Sequence, residues 1–382
     1  MANTRVVEVL AGLVALPSVN PIYDPQSSGE AAMADHVEAW ATALGLEARR
    51  QTVFPGRDNV VARLAGPAGA PVLAFEAHMD TVGVTGMEAP FAPTVVDGRV
   101  TGRGSCDTKG SLAAMMVAIE ELVAAGTTLS CTVELIAAVD EETSGAGARA
   151  HVDGGGQADA AVIGEPTSCQ VVFEHNGCVR GEISVIGRAA HTSVAGEGIN
   201  AIEGMAAVIQ ALAAVNAKLA SSPGGAAENG SLTVSLIEGG SGINVVPERC
   251  TINYDRRITP GQTAQGALAE IDQTLEDVRA ANPAITIERP EPWFVGDPLA
   301  TSASDPVVAL GGAVNAALGG SGSPVRVPYG SDASKFAAAG IPAIVYGPGS
   351  IDNAHSVTEF VPVEDLVAAV AFYRGLAERF RA

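Results

Sequence analysis

The chain has 382 residues, 47% of them hydrophobic and 17% charged, and a formal net charge of −21. That length is ample for one large domain or two ordinary ones, each with its own core. So acidic a chain argues against nucleic acid or an anionic membrane as the main partner, because both reward basic patches.

The first elements alternate in type. Residues 6–16 carry Glu8 inside an apolar pattern, which favours an amphipathic opening helix over a secretion signal. Helical spacing follows at 31–44, short strands at 60–64 and 72–77, and a helix at 111–125. Buried-type strands are expected at 133–139 and 160–163. Strands alternating with helices indicate a layered α/β domain with a mixed, mainly parallel sheet.

From about residue 180 the pattern changes. A strand at 181–186, a helix at 200–219, strands at 231–237 and 249–255, a helix at 263–280 and a strand at 284–288 give the order β-α-β-β-α-β. That is the ferredoxin-like unit. The α/β style then resumes with a helix at 306–318, a strand at 343–346 and a helix from 363. The simplest account is a catalytic domain in two parts, 1–179 and 291–382, interrupted by an inserted α+β lid domain at 180–290. No run is expected to reach the length of a bilayer span. The five cysteines, at 106, 131, 169, 178 and 250, form no C-x-x-C pair and are odd in number. A disulfide framework is therefore disfavoured and a reducing, cytoplasmic setting expected.

The chemistry gathers at strand ends. The apolar run 133–139 empties into Asp140, Glu141 and Glu142, a costly arrangement unless a cation or a proton transfer uses the carboxylates. The run 72–75 leads to His78 and Asp80, Glu165 follows 161–163, and His355 lies in the loop after 344–346. Asp107 sits in the glycine-rich stretch between them. In open α/β sheets functional residues collect beyond the carboxyl ends of strands. A ligating imidazole usually donates its second N–H to a carboxylate, which gives His78-Met79-Asp80 a mechanical reading, although alone a surface His beside an Asp is the commoner one. Glu141 and Glu142 cannot point the same way from an extended segment, so one can ligate while the other faces substrate. Oxygen and nitrogen donors without a thiolate suit two Zn²⁺ ions, or Co²⁺ or Mn²⁺, rather than a structural zinc. No G-x-S-x-G nucleophile elbow occurs, and Gly145-Ala146-Gly147 lacks the rest of a dinucleotide fingerprint. His36, His151 and His175 have no partnered spacing and read as structural.

Five ordered motifs carry a resemblance: His78-Met79-Asp80-Thr81, Gly102-Arg103-Gly104 with Asp107 and Lys109-Gly110, Asp140-Glu141-Glu142 with Ser144-Gly145, Gly164-Glu165-Pro166-Thr167, and Asn353-Ala354-His355. Together they resemble the dinuclear-zinc aminoacylase and carboxypeptidase family over essentially the whole chain. The resemblance implies His78 and Glu165 on one metal, His355 and Glu142 on the other, and Asp107 bridging both. It implies Asp80 as the partner orienting His78, and Glu141 as the general base that moves a proton from water to the leaving amine. A metal pair roughly 3.5–4 Å apart can activate water near neutral pH.

The same resemblance places substrate groups in the inserted domain. His191, in Ala190-His191-Thr192-Ser193, would stabilise the tetrahedral oxyanion, in its own subunit or its partner's. As an isolated feature a His in a polar loop is more often a surface residue. Asn244 and Arg257 match substrate-binding positions, the planar guanidinium suiting a carboxylate; Arg256 would point to the opposite strand face. Ser331, in Tyr329-Gly330-Ser331-Asp332, resembles a pocket-lining loop, with a plain turn equally open. The expected substrate is a small N-acyl amino acid or dipeptide-like molecule, cleaved as by acetylornithine deacetylase. Glu165 and the loop through His355 lean to that branch. Desuccinylases and carboxypeptidases on the same scaffold are the alternative. A non-catalytic binding protein is disfavoured because Glu141 and the ligand set are complete. A homodimer through the lid is expected, with no nucleic-acid or membrane partner.

Overall fold

A computed structural model describes residues 2–381. Four strands, Thr132–Ala138, Val72–His78, Ala160–Ile163 and Ala343–Val345, lie side by side and parallel. Antiparallel strands Arg57–Leu64 and Glu47–Phe54 extend the sheet on one side, and Val172–His175 on the other. Leu299–Ala300 and Val325–Val327 complete nine strands. Side-chain parity explains why the central strands are largely apolar on both faces, Glu76 and Glu134 being the acids within them. Leu73, Phe75 and Ala77 join Leu135 and Ala137 in a core with the helices Ala2–Val14, Lys109–Ala124 and Val363–Arg379. Ala74, Ile136, Ala138, Ala161 and Ile163 face a second core containing Ala148 and Phe336. Both faces are covered, as a parallel sheet requires. The layered α/β class expected from the alternating elements is the one observed.

The chain divides into two compact units. One runs through residue 174 and includes 299–327 and the chain from 331 onward; the other is His175–Pro298 with Pro328–Gly330. In the second unit the strands Ser231–Gly239, Arg249–Ile258, Gly177–Ile186 and Thr286–Glu288 lie in that spatial order, antiparallel throughout. Numbered along the chain this is the order 2-3-1-4 of a ferredoxin-like unit. Its helices, Ala201–Ser221 and Ala264–Ala281, bury Met205, Val208, Leu212, Ile271 and Leu275 against Ile183, Val185 and Ile252. Side-chain caps start both: Asn200 accepts the N–H of Ile202 and Glu203, and Thr263 accepts that of Gly266.

Helix Ala201–Ser221, with 21 residues and a hydropathy of 1.3, is long and apolar enough to cross a bilayer, contrary to the sequence reading. Its many alanines raise hydropathy without large side chains, so no single bulky run marks it. Cys106, Cys131, Cys169 and Cys250 are free thiols. His151, expected to be structural, is buried on the helix Ala146–Asp153, its Nε2 3.4 Å from Glu134 Oε1, and burial pushes its pKa down to about 4.

Candidate metal centre and active site

Because the four central strands are parallel, their carboxyl ends share one edge of the sheet. His78 is the last residue of Val72–His78, and Ala138, which ends the neighbouring strand, lies beside it in register. Glu141 and Glu142 follow Ala138, Glu165 comes two residues after Ile163, and the loop after Val345 carries His355. The separate strand ends therefore converge.

Two groups of donor atoms result, and they share Asp107. His78, Asp107 and Glu165 form one; Asp107, Glu142 and His355 form the other; within each the donor atoms lie within 4.8 Å of one another. His78 Nε2 is 3.1 Å from Asp107 Oδ1 and 3.9 Å from Glu165 Oε1. His355 Nε2 is 3.2 Å from Asp107 Oδ2 and 3.1 Å from Glu142 Oε2. Glu141 belongs to neither group, and its Oε2 is 4.0 Å from His78 Nε2. Its side chain is 19% exposed, against 6% for Glu142 and Glu165, so it is the carboxylate left open to an incoming molecule.

The electrostatics are those of acids crowded out of water. Burial, reinforced by neighbouring carboxylates, holds Glu165 well above the usual range and pushes Glu142 up to about 7. Burial also raises Glu141, although His78 opposes it. Asp107 goes the other way. Burial would raise it, but the His355 and His78 imidazoles more than offset that and hold it low. His355 is pushed up to about 10 by its hydrogen bonds to Asp107 and Glu142. A divalent cation fits this donor set: it would neutralise clustered carboxylates and use Glu142 Oε1, which is buried without a hydrogen-bond partner.

Supporting hydrogen bonds fix the geometry. His78 Nδ1 donates to the Asp80 backbone carbonyl at 2.9 Å, with the Asp80 carboxylate at 3.5 Å, which turns the Nε2 lone pair toward Asp107 and Glu165. The Asp80 carboxylate is chiefly engaged elsewhere: Oδ1 accepts the N–H of Glu141, and Oδ2 accepts the N–H of Glu142 and Asn20 Nδ2. It thus ties the His78 strand to the Glu141-Glu142 turn. Asp140 has φ +69, a left-handed conformation that turns the chain so the two glutamates diverge. It is held by Arg57, Asn20 and Ser144, and Arg57 is also paired with buried Glu30 at 2.6 Å. Nothing in the local sequence marks Asn20, Glu30 or Arg57: their contacts with Asp140 and with each other span 27 to 120 positions.

Ser331 lies in the first unit, at a turn. Its hydroxyl accepts the N–H of Ala333 and its carbonyl accepts from Ser334 Oγ, at the start of helix Ala333–Ala338. Within the second unit the remaining residues separate. His191 pairs with Val245 in a two-residue ladder, and the N–H of Thr192 donates to the Asn244 carbonyl, so His191 and Asn244 are neighbours. His191 Nδ1 accepts the N–H of Ser193, leaving Nε2–H on an exposed ring. Arg257 is paired with Asp255 at 2.8 Å and lines a cleft of about 550 Å³ with Asn176, Ser231 and Tyr329. Arg249 opposes Ile186 and Arg257 opposes Cys178, so Arg257 is at the end of the sheet away from His191. Eight residues of strand separate the two ends, roughly 26 Å. Arg256 is buried on the other face, its guanidinium on Glu270 and on backbone carbonyls.

Comparisons with known proteins find similarity over most of the chain. A model of peptidase family M20/M25/M40 matches residues 74–379. An acetylornithine deacetylase of Vibrio campbellii is 31% identical over 362 residues, covering 93% of both chains. A tripeptidase from Staphylococcus aureus superposes with a TM-score of 0.81 at 20% identity over 98% of each chain. A Bacillus subtilis protein described as a dinuclear metal binding peptidase of the M20 family gives 0.73 at 18% identity, covering 98% of this chain and 97% of that one.

Proposed function

We propose that this chain, which belongs to peptidase family M20/M25/M40, hydrolyses the amide of an N-acyl amino acid at a pair of divalent metal ions. The observation that carries the reading is the pair of donor groups joined through Asp107. His78 and Glu165 would hold one ion, His355 and Glu142 the other, with Asp107 on both. Zinc suits these imidazole and carboxylate donors best, with cobalt and manganese as substitutes. Bound there, the ions polarise the scissile carbonyl and make water acidic enough to react near neutral pH.

The chain's own residues do the rest. Glu141, outside both donor groups and the most open of the four acids, accepts a proton from the attacking water on its carboxylate. The water oxygen bonds to the carbonyl carbon, the C–N bond breaks, and Glu141 returns the proton to the departing amine nitrogen. Asp80 holds the backbone of Glu141 and Glu142 while its carbonyl directs His78, which keeps base and ligands in register.

An acetyl group is the preferred acyl. Support comes from curated relatives described as acetylornithine deacetylases, such as that of Proteus mirabilis, 29% identical over 93% of this chain and 91% of that protein. Purified zinc-loaded protein should turn over N-acetyl amino acids faster than N-succinyl amino acids or dipeptides. A preference for either of the latter would overturn the acyl assignment, and no amide turnover at all would overturn the reading.

His191, Asn244, Arg257 and Ser331 are our substrate-side residues, and the chain would work as a homodimer through its second unit. Two observations support this. One chain cannot bring His191 and Arg257, at opposite ends of a sheet, to one small molecule. The strand Ser231–Gly239 is also an unpaired edge with Leu236 and Ile237 exposed. Light scattering should give twice the 38.5 kDa chain mass, and a fully active monomer would contradict the dimer.

A further inference from the structure

Glu359 lies four residues beyond His355 and takes no part in either donor group. It is fully buried, and among the described residues the hydrogen bonds it accepts come from the loop that carries Asp107. Oε1 accepts the backbone N–H of Cys106 at 2.9 Å and of Asp107 itself at 3.0 Å. Oε2 accepts the N–H of Gly104 at 3.0 Å and Arg103 Nη1 at 2.5 Å. The Glu359 carbonyl takes the N–H of Gly102 at 3.2 Å. Arg103, also buried, supplies the countercharge and is braced by donating Nε to the Gly83 carbonyl.

The loop is therefore wrapped around one carboxylate from a segment some 250 positions away. That segment also bears His355, whose φ of +60 marks a backbone held in the left-handed region. Asp107 is the residue common to both donor groups, so whatever fixes its loop acts on both.

We propose that Glu359 is a positioning residue that locks Asp107 and His355 into one piece, so that its loss weakens both metal ions together. The inference rests on the two-metal reading above. Glutamine is the discriminating replacement. It keeps one acceptor oxygen of the same shape but turns an amide NH₂ toward Gly104 N–H and the Arg103 guanidinium, donor against donor.

The test is competition for Zn²⁺ between metal-stripped protein and a chromophoric chelator, with thermal unfolding of the same samples. In Glu359→Gln both zinc affinities should fall by about 10–100-fold, the range seen when partners supporting metal ligands are lost. Glu134→Gln alters a buried acid outside the site and should leave both affinities native whatever it does to the unfolding temperature. Native affinities in Glu359→Gln, with or without lowered thermal stability, would overturn the proposal, as would weakening of one ion alone. Should Glu359→Gln not fold, Arg103→Lys takes its place. It keeps the charge but loses the two-point grip on Glu359 and Gly83, so both affinities must again fall, and native values would overturn the proposal. Native protein that binds fewer than two ions would instead sink the two-metal reading, which separates the two failures.

Discussion

Replacing Glu141 with Gln should lower turnover by about 10²–10⁴-fold while leaving the metal content unchanged. The substitution is nearly isosteric and removes only the ability to accept a proton. Its backbone N–H can still reach Asp80 Oδ1, so the turn that presents Glu142 is kept. Its carboxylate lies outside both donor groups, so neither ion loses a ligand. The measurement is kcat on an N-acetyl amino acid, with elemental analysis of the same preparation. Full turnover would remove Glu141 from the proton path; lost metal would make it a ligand instead.

Asp107→Ala should do something no other single ligand replacement does, which is release both ions. Its two oxygens face different imidazoles, Oδ1 that of His78 and Oδ2 that of His355. Removing it takes away a carboxylate that repels Glu142 and Glu165, but it also takes away the one donor that both groups share. The loss in affinity should exceed the roughly 10–100-fold that supporting partners cost, with hydrolysis falling below detection. Glu165→Ala, by contrast, leaves Asp107, Glu142 and His355 intact and should keep one ion. Elemental analysis after gel filtration checks both variants; an Asp107→Ala protein that retains two ions would contradict the shared-ligand arrangement.

Legibility in the sequence followed the range of the interactions involved. The strand at 160–163 and the helices near 31–44 and 263–280 were readable because burial imposes its own period on local sequence. Glu47–Phe54 was not: its residues are mostly polar, and it is a strand because Arg57–Leu64 pairs with it. Metal-site candidates stood out because acids and imidazoles directly after apolar strands are costly, and parallel strands bring such ends to one edge. The residues that hold those candidates gave no such signal. Glu30 with Arg57, Asn20 with Asp80, and Glu359 with Arg103 are buried polar pairs joined only by the fold. Ser331 combines both kinds of signal: its short polar motif resembles a pocket loop, and its hydroxyl accepts the N–H of Ala333 at a helix start while keeping its own O–H to donate.

Turnover measured against bound metal tests the central claim most directly. Protein stripped by a chelator should be inactive on N-acetyl amino acids, and activity should return as zinc is added, reaching its full value at two equivalents per chain. Full amide hydrolysis by metal-free protein would contradict the account.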